Sequence, residues 1–434
     1  MEQIFKEENE YEKVVLVGRD LSDNRNAEED FERSMAELAE LAKACFMEPV
    51  AIVTQKMAAV HKGHYIGVGK VQEVKEVVKM LDAQLVIFDD SLTPSQLRNL
   101  QDELETPVID RTNLILDIFE SRARTREAKL QVESARLQYL LPRLVGMHEA
   151  LTRQGGTSGS MSSRGAGEKK LELDRRRIEH RISELRKELD EVSGERQVQR
   201  KKRQNARIPL VALVGYTNAG KSTIMNALVE RYVQEEEKKV LEKDMLFATL
   251  DTTIRRINTG NNRDFLLSDT VGFIHKLPHT LVKAFRSTLE EVQGTDLLLQ
   301  IVDYSDPYYK EQMKTTKQTL QELGVGDIPA ITVFNKADKC EEGIDYPKMV
   351  ADTKIYLSAR EEDSISMLVD MILDKIYADF VEGTFLVPYH KGNLVSYFRE
   401  NAQIISQEYE AEGTKIVTKC HKADKDKFAE FLIK

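Results

Sequence analysis

Gly215-Tyr216-Thr217-Asn218-Ala219-Gly220-Lys221-Ser222 follows directly on the apolar run Leu210-Val211-Ala212-Leu213-Val214. The octet fits G-x-x-x-x-G-K-[ST], the phosphate loop that joins a strand to a helix. Its glycines let backbone N–H groups converge on phosphate oxygens, and the helix expected from Thr223 to Arg231 aims its N-terminus at the same charge. Lys221 would neutralise the β- and γ-phosphates, and the Ser222 hydroxyl would ligate Mg²⁺. The chain is therefore expected to handle a nucleoside triphosphate with magnesium, on an α/β domain spanning residues 208–378.

Downstream, Asn335-Lys336-Ala337-Asp338 follows the strand pattern Ala330-Ile331-Thr332-Val333-Phe334. The Asp338 carboxylate can accept from the N1–H and exocyclic amine of guanine, donors that adenine lacks on that edge, while the Lys336 stem covers the base. The expected substrate is GTP. Asp269-Thr270-Val271-Gly272 comes after a strand; Asp269 would hold the magnesium shell and the Gly272 N–H would meet the γ-phosphate. Ser358-Ala359-Arg360 fits the loop touching guanine from its far side. Between phosphate loop and D-x-x-G lies Phe247-Ala248-Thr249-Leu250-Asp251, where Thr249 can close over Mg²⁺ and complete a catalytic set with Lys221 and Gly272. The charged stretch 234–239 before it has too little apolar content to pack by itself.

Many GTPases orient the attacking water with a glutamine directly after D-x-x-G, but Phe273 stands there, followed by Ile274 and His275. An apolar ring cannot polarise water. Hydrolysis then either waits for a partner to complete the site or relies on a bound cation and backbone groups. Asn218 in the phosphate loop is either the ligand of such a monovalent cation, K⁺, or a turn-forming asparagine.

The 434 residues are 41% hydrophobic and carry a net charge of −10, with neither a secretory leader pattern nor an apolar run of spanning length. Cys45, Cys340 and Cys420 are odd in number and far apart, the pattern of free thiols in a reducing, cytoplasmic compartment. His61 and His64 read as a loop pair rather than a zinc site, since no further ligand pattern accompanies them.

The charge is uneven. Residues 121–207 hold 22 Lys plus Arg against 12 Asp plus Glu, a net of +10 that leaves −20 for the rest. This block also carries two apolar seams, Leu130, Leu137, Leu141, Leu144 and Ile178, Ile182, Leu185, Leu189, Val192, as two helices of an antiparallel hairpin would. A glycine-serine tip is expected over 154–165, flanked by Arg153, Arg164, Lys169, Lys170 and Arg175-Arg176-Arg177. Phosphate-rich RNA suits such a surface through counterion release; a solvated linker is the plainer alternative.

Residues 1–120 alternate short apolar runs (Val14 to Val17, Val50 to Val53, Leu85 to Phe88) with helical patterns (Ala27 to Ala44, Val71 to Leu81, Pro94 to Glu103), as a small α/β domain does. Gly67-Val68-Gly69-Lys70 lacks the third glycine of a dinucleotide fingerprint and reads as a turn before a helix or as a backbone contact with RNA. Residues 379–434 read as a small α+β domain: a strand near 384–388, a helix 393–401, a hairpin around Glu412-Gly413 and a final helix 424–433.

The octet, Phe-Ala-Thr-Leu-Asp (247–251), Asp-Thr-Val-Gly-Phe-Ile (269–274) and the glycine-rich joint ending Arg164-Gly165-Ala166-Gly167-Glu168 together resemble the HflX-type GTPases, within the Obg-like GTPases, over nearly the whole chain. The phosphate loop is also similar to that of potassium-responsive GTPases. The resemblance implies a factor, expected monomeric, that binds the large ribosomal subunit and its RNA and parts stalled or idle ribosomes into subunits. It also implies an ATP-dependent activity in the N-terminal region. Thr252 and Ala166 stand where the family usually has proline. The rival from another class is a GTP-dependent signalling protein acting on a protein partner, with the basic hairpin as spacer.

Overall fold

The computed structural model describes residues 12–20, 25–154, 161–205, 208–233, 246–247, 253–260, 263–276, 292–340 and 345–433. The chain divides into two units: residues 1–194 with 244–250 and 275–286, and residues 195–243 with 251–274 and 287–434.

The first unit is built on β1 (Glu12–Asp20), α1 (Arg25–Ala44), β2 (Met47–Lys56), α2 (Val68–Leu81), β3 (Leu85–Phe88), α3 (Pro94–Leu104), β4 (Val108–Asp110) and α4 (Arg111–Arg122). Its strands form a parallel sheet in the order β2-β1-β3-β4. Val14, Val15, Leu16 and Val17 are all fully buried, as expected of a central strand covered on both faces. One core gathers Val15, Val17, Ile66, Val74, Phe88 and Leu100. Helix α3 starts where Pro94 follows Thr93 and Gln96 completes a reciprocal cap.

The sequence patterns missed β4 and α4. Leu114, Ile115, Leu116, Ile118 and Phe119 are all buried, a near-continuous apolar run beside only a narrow stripe of Asn113, Asp117 and Glu120, so the helical period is blurred in the sequence. Gly67 precedes α2 and donates its N–H to Gln55 Oε1 at 2.8 Å, a turn before a helix. His61 and His64 stack in a loop with ring centroids 5.4 Å apart, and His64 Nε2 reaches Glu103 at 2.9 Å.

Two long helices follow, α5 (Arg126–Gln154) and α6 (Met161–Asn205). Arg181 pairs with Glu133 at 2.8 Å and Arg126 with Glu188 at 3.5 Å; later residues of α6 face earlier ones of α5, so the pair is antiparallel. Ile182 and Leu185 form the buried part of the second seam. The first half of α5 packs on α3 and α4: Tyr139 donates its hydroxyl to Asp110 at 2.7 Å, and Arg143 donates to the same carboxylate at 2.9 Å. The expected tip is shorter than the sequence suggested, because residues 161–165 already belong to α6; 155–160 lie outside the described residues. Arg164-Gly165-Ala166-Gly167 can be helical because glycine costs a helix only about 1 kcal/mol.

The second unit contains β5 (Leu210–Gly215), α7 (Lys221–Tyr232), β6 (Thr253–Ile257), β7 (Phe265–Asp269), β8 (Leu297–Asp303), α8 (Tyr309–Glu322), β9 (Ala330–Asn335), β10 (Lys348–Ala351), β11 (Lys354–Tyr356) and α9 (Glu362–Ile376). Its seven-stranded sheet runs β10-β11-β9-β8-β5-β7-β6, parallel except for the outer pairs β10–β11 and β6–β7. Val211, Leu213, Leu299, Ile301, Ile331 and Val333 fill its core against α7 and α9.

A second sheet of the same unit comprises β12 (Phe380–Val387), β13 (Gln403–Glu410), β14 (Gly413–His421) and β15 (Leu432–Ile433), in the order β13-β14-β12-β15. Helices α10 (Gly392–Asn401) and α11 (Lys422–Lys427) accompany it, with Phe385, Phe398 and Ile416 at the core. The final helix expected over 424–433 is not formed. Helix α11 stops at Lys427, a 3₁₀ turn spans Ala429–Phe431, and Leu432 and Ile433 pair antiparallel with Phe385 and Thr384. The free edge of β12 offers these residues backbone partners that a helix end would leave unmade.

Candidate nucleotide-binding site

Strand β5 lies between β7 and β8, and the three carboxyl ends carry the phosphate loop, Asp269 and Asp303. This placement puts the loop in the crevice beyond the strand ends where open α/β sheets bind ligands. Gly220 adopts φ 93°, and a Cβ there would lie 2.2 Å from Asn335 Nδ2. Asn218 takes φ 60°, a region asparagine tolerates better than most residues.

Lys221 is 7% exposed and donates to the carbonyls of Gly215 and Tyr216 at 3.2 and 2.7 Å. Burial lowers its amine to about 8, against the opposing pull of Asp269. The Ser222 hydroxyl donates to Asp269 Oδ2 at 2.9 Å. These all-oxygen donors are the kind Mg²⁺ accepts. Thr217 is 6% exposed, and its hydroxyl has no hydrogen-bond partner among the described residues. A buried hydroxyl left this way is a ready donor for phosphate.

The D-x-x-G segment is held tightly against the loop. Thr270 donates its hydroxyl to Leu213 O at 2.6 Å, Phe273 donates its N–H to Gly215 O at 3.1 Å, and Thr217 donates its N–H to Phe273 O at 2.8 Å. A Cβ on Gly272 would lie 2.8 Å from Thr217 Cγ2 and 2.9 Å from Lys221 Nζ, so only glycine fits. Val271 and the Phe273 ring are buried.

Asn335 ties three motifs together: it donates from Nδ2 to Ala219 O and accepts at Oδ1 from Ala359 N–H, both at 3.0 Å. Lys336 donates to Asn218 O at 2.9 Å and to Asp303 at 2.7 Å. Asp338 is exposed on the 3₁₀ turn Ala337–Lys339; Ser358 and Ala359 are buried and Arg360 is exposed. The structure thus gathers Gly215 to Ser222, Asp269 to Gly272, Asn335 to Asp338 and Ser358 to Ala359 at one end of the sheet. Thr223 sits in the first turn of α7. Phe247 is described, whereas Ala248, Thr249, Leu250, Asp251 and the stretch 234–239 lie outside the described residues. Asp303 was missed; its signal was an acidic residue ending the apolar run of β8.

Residues 32–120, 122–203 and 210–336 match families described as GTP-binding GTPase N-terminal, GTP-binding GTPase Middle Region and 50S ribosome-binding GTPase. The chain is 42% identical over 404 residues to the GTPase HflX of Caldanaerobacter subterraneus subsp. tengcongensis, covering 93% of this chain and 91% of that protein. To the GTPase HflX of Escherichia coli it is 37% identical over 406 residues, 93% and 92% of the two chains. A crystal structure of a GTP-binding protein from Sulfolobus solfataricus in complex with GDP is 24% identical, with TM-score 0.45 over 84% of this chain and 99% of that one. On its 42% and 37% identity to the two HflX proteins, over more than nine-tenths of each chain, the chain belongs to the HflX family of GTPases, which bind and hydrolyse GTP.

Proposed function

We propose that the protein binds the large ribosomal subunit through its N-terminal α/β domain and basic helical hairpin, and uses GTP binding and hydrolysis to time engagement and to split stalled or idle ribosomes. The observation that carries the ribosomal part is the match of 210–336 to a family described as 50S ribosome-binding GTPase. The excess of +10 over residues 121–207 supports an RNA partner.

Within the GTPase site, Asp338 reads guanine, with Lys336 covering the base and Ser358 to Arg360 on its far side. Lys221 and Gly272 act on the γ-phosphate. Ser222, Asp269 and Thr249 hold Mg²⁺, which when bound supplies charge neutralisation of the transferring phosphoryl group. Asn218 is the candidate ligand for K⁺.

Co-sedimentation of the full chain with separated large and small subunits tests this reading. Retention on the large subunit with a non-hydrolysable GTP analogue, and release with GDP, is expected. Equal pelleting with both subunits, or with neither, contradicts it.

A further inference from the structure

Two hydroxyls at the contact between the phosphate loop and D-x-x-G are spent on protein partners: Ser222 donates to Asp269 Oδ2 at 2.9 Å and Thr270 to Leu213 O at 2.6 Å. Thr217 differs. It is 6% exposed, yet its Oγ1 has no hydrogen-bond partner among the described residues. Burying a hydroxyl unpaired costs free energy, so one kept that way inside a binding site points to an atom of the ligand.

The backbone fixes where this side chain lies, and every residue concerned belongs to the second unit. Tyr216 and Phe273 pair as a parallel bridge; Phe273 donates its N–H to Gly215 O at 3.1 Å, and Thr217 donates its N–H to Phe273 O at 2.8 Å. This short ladder sets Thr217 against Gly272. A Cβ on Gly272 would lie 2.8 Å from Thr217 Cγ2 and 2.9 Å from Lys221 Nζ, and Oγ1 branches from the same carbon as Cγ2. Thr217, Lys221 and Gly272 therefore converge on one place. The neighbours of Gly272 bring no rival side-chain donor to it, because Val271, Phe273 and Ile274 are apolar and buried.

We propose that Thr217 is a further catalytic residue for GTP hydrolysis, its hydroxyl donating to an oxygen of the γ-phosphoryl group; this assignment rests on the γ-phosphate lying at Lys221 and Gly272, as proposed above. A donor held in advance against the transferring group stabilises its charge without reorganisation, and loss of one such donor lowers the rate on the order of a hundredfold or more. The same hydroxyl gains nothing from the protein when GTP is absent. Its removal should therefore slow the reaction without harming the empty fold.

Thr217→Val keeps the branched shape and removes only the hydroxyl. In the full chain it should lower kcat for GTP by at least about tenfold, leave GDP affinity within about twofold, and leave the melting temperature of the nucleotide-free protein unchanged or raised. Thr217→Ser, which keeps a hydroxyl, should retain most of the rate. An unchanged kcat for Thr217→Val overturns the proposal, and so does a Thr217→Ser protein as slow as Thr217→Val. A matching loss of GDP affinity, or a lower melting temperature of the empty protein, also overturns it, since either gives the hydroxyl a structural role. Lys221→Met separates this assignment from the one beneath it. If Lys221→Met turns over GTP at the wild-type rate, the γ-phosphate does not lie at this end of the site and both fall; a slow Lys221→Met beside a Thr217→Val of wild-type rate overturns the role of Thr217 alone.

Discussion

Asp338 projects into solvent from a short turn whose geometry is set by its neighbours: Ala337 donates its N–H to Leu357 O, and Asn335 is pinned at both ends of its amide. An exposed carboxylate in a fixed frame can be changed without harm to the fold. Asp338→Asn should weaken GTP binding on the order of a hundredfold and shift preference toward xanthine nucleotides, whose 2-oxo group accepts from the new amide. Full retention of GTP affinity in a competition assay would refute the guanine assignment. Asn335 lies at the opposite extreme. It is 2% exposed, and Asn335→Ala would leave Ala219 O and Ala359 N–H short of partners, costing about 1–3 kcal/mol in denaturant unfolding.

His275 supplies a pH test. Burial first, then Arg33, Arg111 and Lys276, push its imidazole down to about 4, so the folded protein holds it neutral. Its unfolded value lies near 6.5, so between the two values the unfolded chain binds the extra proton. The stability this histidine contributes is present above about pH 6.5 and is lost as pH falls toward 4. Urea midpoints at pH 7 and about pH 5 should therefore differ more for the wild type than for His275→Gln. Equal pH dependence in the two proteins would contradict this.

At the scale of elements, the phosphate loop was legible because strand, turn and helix are adjacent in sequence and each demands particular residues. The pair α5 and α6 was legible from its seams, and Leu185, fully buried, is the residue on which the second seam depends. Leu185→Ala should cost about 2–5 kcal/mol in unfolding of the first unit while GTP affinity is retained. Unaltered unfolding would mean that α6 takes no part in that unit's core. The elements that escaped sequence reading are those decided from a distance. Strand β4 is three residues long, α4 buries the near-continuous apolar run Leu114 to Phe119 with only a narrow polar stripe, and β15 forms only because the edge of β12 is available 47 and 49 positions away in register. Asp89 accepts from Arg111 and Lys276, 22 and 187 positions away, which no local pattern reveals.

At the scale of the whole chain, charge and catalysis point the same way. An acidic protein of net charge −10 concentrates its positive excess in one stretch, and its GTPase site has an apolar residue where a water-orienting glutamine is common. The RNA-rich partner proposed above would satisfy both features: it would be drawn to the basic hairpin and would supply the transition-state contacts that Phe273 cannot. Among the described residues no helix is long and apolar enough to cross a membrane. The most direct test of this account is GTP turnover by the full chain, titrated with purified large ribosomal subunits at low and moderate salt. A rise of at least about tenfold that weakens steeply with salt is the predicted result. The same slow rate with and without saturating subunits would contradict it.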